Sequence, residues 1–161
     1  MGADLYIEQL FQPQMVKYRP LFEAAVRRRD SLPQGSPATA EAQAEVSRYF
    51  ELMYAEGYFA DSYTGTCVLN RLGLSWWEDV APLCTDGAFL RDERLRQFRE
   101  LIAKAPLRLP TKEELQADRV HVDDGDNSLE AWHRYFAQGR EQLLAFLDQA
   151  IALDAPVFCW L

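Results

Sequence analysis

Polar and apolar residues alternate through Asp4-Leu5-Tyr6-Ile7-Glu8. That period of two predicts a short N-terminal strand, with a helical start as the alternative. Leu21, Phe22, Ala25 and Val26 then recur at helical spacing, which predicts a helix over residues 20–31 that begins as early as Pro13. Proline suits a first helical position because its missing N–H would have no partner there. Ser36 and Pro37 open the next helix, with Ala42, Val46, Tyr49, Phe50 and Met53 on one face and Gly57 at its end.

Residues 57–73 mix aromatic and small polar residues without a sustained period, apart from one short helix expected over 67–72. Ser75-Trp76-Trp77-Glu78 has the form of a capping box, opening a short helix that stops near Pro82. Leu95, Phe98, Leu101 and Ile102 define a helix over 92–104. Thr111-Lys112-Glu113-Glu114 and Asn127-Ser128-Leu129-Glu130 are two further capping boxes. The last opens the longest helix, which reaches about residue 153 and carries Leu129, Trp132, Phe136, Leu143, Leu147 and Ile151 on one stripe. Pro156 prevents its continuation, and residues 157–161 are β-prone and positioned to pair with the N-terminal strand. The expected fold is mainly α: a single-domain irregular helical bundle over residues 1–161, with short N- and C-terminal β-strands pairing at the edge.

Composition agrees with one globular domain. The chain has 161 residues, of which 48% are hydrophobic and 26% charged. Lys and Arg total 17 against 25 Asp and Glu, a net charge of −8. That balance disfavours direct contact with a nucleic-acid backbone and is compatible with a basic protein partner. The charge is blocked along the chain. Residues 49–93 hold eight acids and two bases, residues 94–112 one acid and six bases, and residues 113–130 seven acids and one base. The basic residues from Arg94 to Lys104, and the run Arg27-Arg28-Arg29, read as solvated helix faces. No apolar run approaches the roughly 20 residues of a membrane helix. Residues 1–11 carry Asp4 and Glu8 and lack a secretory pattern, so a cytoplasmic protein is expected.

Motifs with defined chemistry are few. No phosphate-binding glycine loop is present, and Gly73-Leu74-Ser75-Trp76-Trp77 fails as a nucleophile elbow because Trp77 stands where a second glycine must allow the turn. Cys67, Cys84 and Cys159 are widely spaced and form no C-x-x-C pair, so each reads as a small buried hydrophobe. Two segments carry candidate function. The first is the aromatic-rich stretch 57–79, in which Tyr58, Asp61, Ser62, Tyr63, Trp76 and Trp77 combine large rigid rings with hydrogen-bonding tips, the residue types of binding hot spots. The second holds both histidines: His121, Asp126, Glu130 and His133 offer imidazole and carboxylate ligands for one divalent metal, with Glu130 and His133 three apart on one helix face. A calcium loop over 124–135 lacks the central glycine and the terminal bidentate glutamate.

The leading expectation is therefore a non-enzymatic acidic interaction protein, an inhibitor, immunity or accessory factor, that meets a protein partner through the aromatic segment and needs no cofactor. The alternatives are a metal-dependent hydrolase using the two histidines and nearby carboxylates, and a small-ligand-binding domain with a Trp/Tyr pocket.

Overall fold

The computed structural model describes residues 2–161. The chain is mainly helical with a small antiparallel sheet, as the sequence pattern predicts. It packs as two compact units. One takes the chain up to Tyr6 and again from Phe59 to Leu161, and the other is the segment Ile7–Tyr58 between them.

The sheet-bearing unit is organised by strands β1 (Ala3–Ile7), β2 (Tyr58–Asp61), β3 (Phe89–Leu90) and β4 (Val157–Trp160), in the order β2-β1-β4-β3. The N- and C-terminal strands pair as expected. Two strands absent from the sequence reading flank them, so the terminal strands occupy the middle of the sheet. Both added strands are too short for an alternation of two to register, at four and two residues. Helices α3 (Val68–Arg71), α4 (Asp92–Lys104), α5 (Lys112–Ala117) and α6 (Leu129–Ala152) complete this unit.

Helix α6 is the main packing element. It buries Phe136, Gly139, Leu143, Phe146, Leu147 and Ala150. Helix α4 contributes Leu95, Phe98 and Ile102, whereas Leu101, predicted inward, is partly exposed. Arg140 of α6 donates to the carbonyls of Ile102 and Ala103, partnering acceptors that the end of α4 leaves open. Gly139 permits a close approach, since a Cβ there would lie 2.6 Å from Val68 Cγ2 on α3. The N-terminal signals in this unit act largely as read. Thr111 and Glu114 form a reciprocal capping box at α5, whereas α6 is capped one residue later than the expected Asn127 box, by Ser128 accepting from the Ala131 N–H, while Asn127 bonds Asp123.

The second unit is a helical hairpin of α1 (Glu8–Asp30) and α2 (Pro37–Met53). Helix α1 starts much earlier than the proline rule predicts and runs through both Pro13 and Pro20. Each proline removes one backbone donor, and both rings sit at exposed positions. Ser36 caps α2 as predicted, but α2 ends at Met53 rather than at Gly57. Gly57 instead directs the chain into β2 with φ of +67°, and its carbonyl accepts from the Ile7 N–H. A Cβ at Gly57 would lie 2.7 Å from Leu10 Cβ and 2.8 Å from the Ile7 carbonyl oxygen. Tilted ring contacts run from Phe22 through Phe50 and Tyr54 to Tyr58, with Phe11 against Tyr54 and Tyr58.

Candidate functional site

The aromatic segment divides into a buried half and an exposed half. Asp61, at the end of β2, is 2% exposed. Its carboxylate accepts from five donors: the backbone N–H groups of Ser62, Val68 and Leu69, the Cys67 thiol and the Trp76 indole N–H, at 2.7–3.1 Å. The first amides of α3 have no partner within their own helix, and a carboxylate aimed at them supplies one. The same carboxylate and burial push the Cys67 thiol up to about 12, burial being the larger cause. Cys67 thus stays a protonated donor. Trp76 is fully buried, with its ring edge-on to Phe98. Asp61 and Trp76 therefore belong to the interior, and their burial removes them from any contact surface. Tyr58 is half-buried within the hairpin's run of rings, and the Ser62 hydroxyl is engaged with Thr64 and Thr66.

Tyr63 and Trp77 behave differently. They are 50% and 48% exposed, and Trp160 on β4 is 64% exposed. The Tyr63 hydroxyl donates to Asp4 and to the Trp160 carbonyl, at 3.3 and 3.4 Å. Burial and then the Asp4 carboxylate raise the Tyr63 pKa, which keeps the hydroxyl a donor. Ser75 accepts from the Glu78 N–H and so starts the turn that carries Trp76 and Trp77. Asp79, and not Glu78, answers the Ser75 N–H, so the expected box closes one residue later. The turn is a single wide π-type turn, Trp76–Val80. Within it Trp76 is buried and Trp77 is about half exposed.

Trp77 and Trp160 line one cavity of about 280 Å³, whose wall also contains Cys84 and Cys159. The register Phe89↔Phe158 brings β4 beside the Cys84–Ala88 turn, and the Cys159 N–H donates to the Ala88 carbonyl. The Cys84 thiol donates to the Val80 carbonyl at 3.7 Å and the Cys159 thiol to the Val157 carbonyl at 3.8 Å. None of these three residues was singled out as functional from the sequence. Trp160 carried a signal: if Val157 and Cys159 face inward, a strand period of two turns Trp160 outward. The two cysteines carried none, because only the fold brings them together.

Two other cavities offer less chemistry. One of about 300 Å³ at the start of α4 mixes Arg91 and Arg96 with Asp92 and Asp154. A wider one of about 550 Å³ is formed largely by the outer surface of α6 around Gln138 and Glu141.

The expected metal ligands do not converge. The His133 Nε2–H donates to the Pro110 carbonyl at 2.8 Å. His121 lies mostly in solvent, 3.4 Å from Asp123, while its carbonyl accepts from the Trp132 indole. Asp126 and Glu130 are exposed. Among the described residues no group of three or more His, Cys, Asp or Glu side chains is placed to hold a metal ion. Asp123 organises this loop instead, accepting from the Gly125 and Asn127 N–H groups, and those bonds hold its carboxyl below the usual range. The segment is a solvated acidic turn leading into a capped helix. No helix among the described residues is long and apolar enough to cross a membrane. Comparison with known proteins finds no matching family model, no similar curated protein and no similar solved structure.

Proposed function

We propose that the chain is a binding protein without a catalytic role, an inhibitor, immunity or accessory factor that holds a basic protein segment at the aromatic patch of Tyr63, Trp77 and Trp160. The observation that supports this reading most is the pairing of two largely exposed tryptophans, from separate elements, around one cavity. Rigid aromatic surface beside a recess is the composition of an interface hot spot. The recess has about 280 Å³, just below the usual range of roughly 300–1,000 Å³ for drug-sized ligands. It suits one inserted side chain better than a whole small molecule. Glu78, next to Trp77 in the chain, and the net charge of −8 favour a partner carrying Lys and Arg.

The test is selection of peptides from a random display library against the whole chain, followed by titration of the selected sequences. Selected peptides should carry basic residues flanking an apolar anchor. Trp77→Ala and Trp160→Ala should each weaken binding about tenfold or more, with circular dichroism unchanged because both rings are exposed. Selected peptides without basic enrichment, or binding indifferent to both substitutions, would overturn the reading. Strong binding of a small apolar probe at the same tryptophans, with no peptide selected, would favour the ligand-pocket alternative.

A further inference from the structure

Cys84 and Cys159 are far apart in sequence but line the wall of a single cavity, where the Cys159 N–H donates to the Ala88 carbonyl of the turn that follows Cys84. The two differ in setting. Cys159 is buried on the central strand β4, and its thiol also lies 3.8 Å from the Val157 carbonyl. Cys84 is half-buried, follows the turn Ala81–Leu83 and sits between Ala81 and Gly87 in the cavity wall. Cys67, by contrast, is fully buried and donates its proton to Asp61.

We propose that Cys84 and Cys159 form a modification site for low-molecular-weight disulfides, with Cys84 the attacking thiol and Cys159 the resolving one. In the first step the Cys84 sulfur, as thiolate, attacks one sulfur of the small disulfide. The external S–S bond breaks, and one small thiolate leaves with the bonding pair and takes up a proton. In the second step the Cys159 thiol gives its proton to solvent and attacks the Cys84 sulfur of the mixed disulfide. The Cys84–Cys159 bond forms and the second small thiol departs. Two protein thiols are oxidised and one external disulfide is reduced to two thiols.

The local electrostatics suit that order. The neighbouring Cys159 thiol lowers the Cys84 pKa, with partial burial opposing it, and the net lowering favours the thiolate needed for attack. The Cys159 pKa is raised, first by the neighbouring Cys84 thiol and then by burial. This chemistry needs only the chain and the small disulfide and is independent of any protein partner.

The experiment treats the full chain with glutathione disulfide and follows intact mass and disulfide-linked peptides over time. The native chain should pass through a transient glutathione adduct on Cys84 and end two hydrogens lighter, with Cys84 joined to Cys159 and Cys67 free. In Cys159→Ser the adduct should persist on Cys84. Should that variant fail to fold, alkylation of the native chain by iodoacetamide gives an independent reading, with Cys84 reacting at least roughly tenfold faster than Cys67. A lasting adduct in the native chain, reaction of Cys67 at a rate equal to that of Cys84, or no reaction when the denatured chain reacts would each overturn the proposal.

Discussion

Among the described residues, helix α1 spans 23 residues and buries one of them, Ala25, whereas helix α6 spans 24 and buries six. Length is nearly equal and burial is not. Helix α1 also carries Pro13 and Pro20, each a missing backbone bond, and Phe50 on its partner helix is 52% exposed although the pattern placed it on the inward face. The hairpin is held by tilted ring contacts and by surface pairs such as Arg28–Glu45. The sheet-bearing unit is held by a closed core and by the buried Asp61 carboxylate, which accepts from five donors. Because buried apolar area dominates stability, the hairpin should open at lower cost than the sheet-bearing unit. All four tryptophans lie in the sheet-bearing unit, so tryptophan emission reports that unit alone.

The largest effect that would test this contrast lies at Asp61. Asp61→Ala strands donors from Ser62, Cys67, Val68, Leu69 and Trp76. Each unsatisfied buried donor costs about 1–3 kcal/mol, and partial relaxation leaves an expected loss of about 3–5 kcal/mol. Urea titration followed by tryptophan emission measures it directly, since the Trp76 indole is one of the five donors. Asp61→Asn keeps the shape but turns an amide toward other donors, so it should also destabilise, by less. A loss below about 1 kcal/mol for Asp61→Ala would mean that water reaches the site and that the sheet-bearing unit is not closed there.

A smaller and more local effect is expected at Gly57. Gly57→Ala combines a left-handed backbone, costing about 1–2 kcal/mol, with a Cβ pressed against Leu10 and the Ile7 carbonyl. The expected loss is about 2–3 kcal/mol, concentrated in the hairpin. Native-state hydrogen exchange should quicken across α1 and α2 while the Val68 and Leu69 amides keep their protection. Equal quickening at Val68 and Leu69 would show that the two units unfold as one and would erase the contrast.

The same contrast marks what was legible in the sequence. Helix α4 appears over the predicted residues because Leu95, Phe98 and Ile102 keep a clean helical period between Asp92 and Lys104. The starts of α2 and α5 were legible because their capping side chains act within three residues, and that of α6 was legible to within one residue, Ser128 capping in place of Asn127. The start of α1 was not, because proline preference at a first turn says nothing about a strand that passes straight into a helix at Ile7 and Glu8. The role of Asp61 was hidden for a different reason. Its donors come from positions 62 to 76, brought around one carboxylate by a fold with no periodic signature. Tyr63 and Trp77 were singled out together with Trp76, and adjacent residues in an irregular turn do not declare which ring faces out. The four metal candidates share a short stretch of sequence, yet Pro110 holds one imidazole and solvent surrounds the other.

The smallest effect sharpens the comparison because one chemistry can be read in both units. Arg28 and Glu45 join the hairpin's helices through a single bond of 3.1 Å, with both side chains about half exposed. Arg99 and Asp148 join α4 to α6 through two bonds, of 2.8 and 3.0 Å. In the second pair the two partners shift together, Arg99 upward and Asp148 downward, each chiefly through the hydrogen bond to the other. Exposed pairs contribute about 0.2–1 kcal/mol, and a bidentate geometry belongs at the upper end. Double-mutant cycles to alanine should therefore give a coupling of a few tenths of a kcal/mol for Arg28–Glu45 and nearer about 1 kcal/mol for Arg99–Asp148. Raising the salt should shrink both, because both pairs meet solvent, and should abolish the hairpin pair first. If the couplings are equal, the second bond adds nothing measurable, and the difference between the units rests on buried apolar area and the Asp61 network alone.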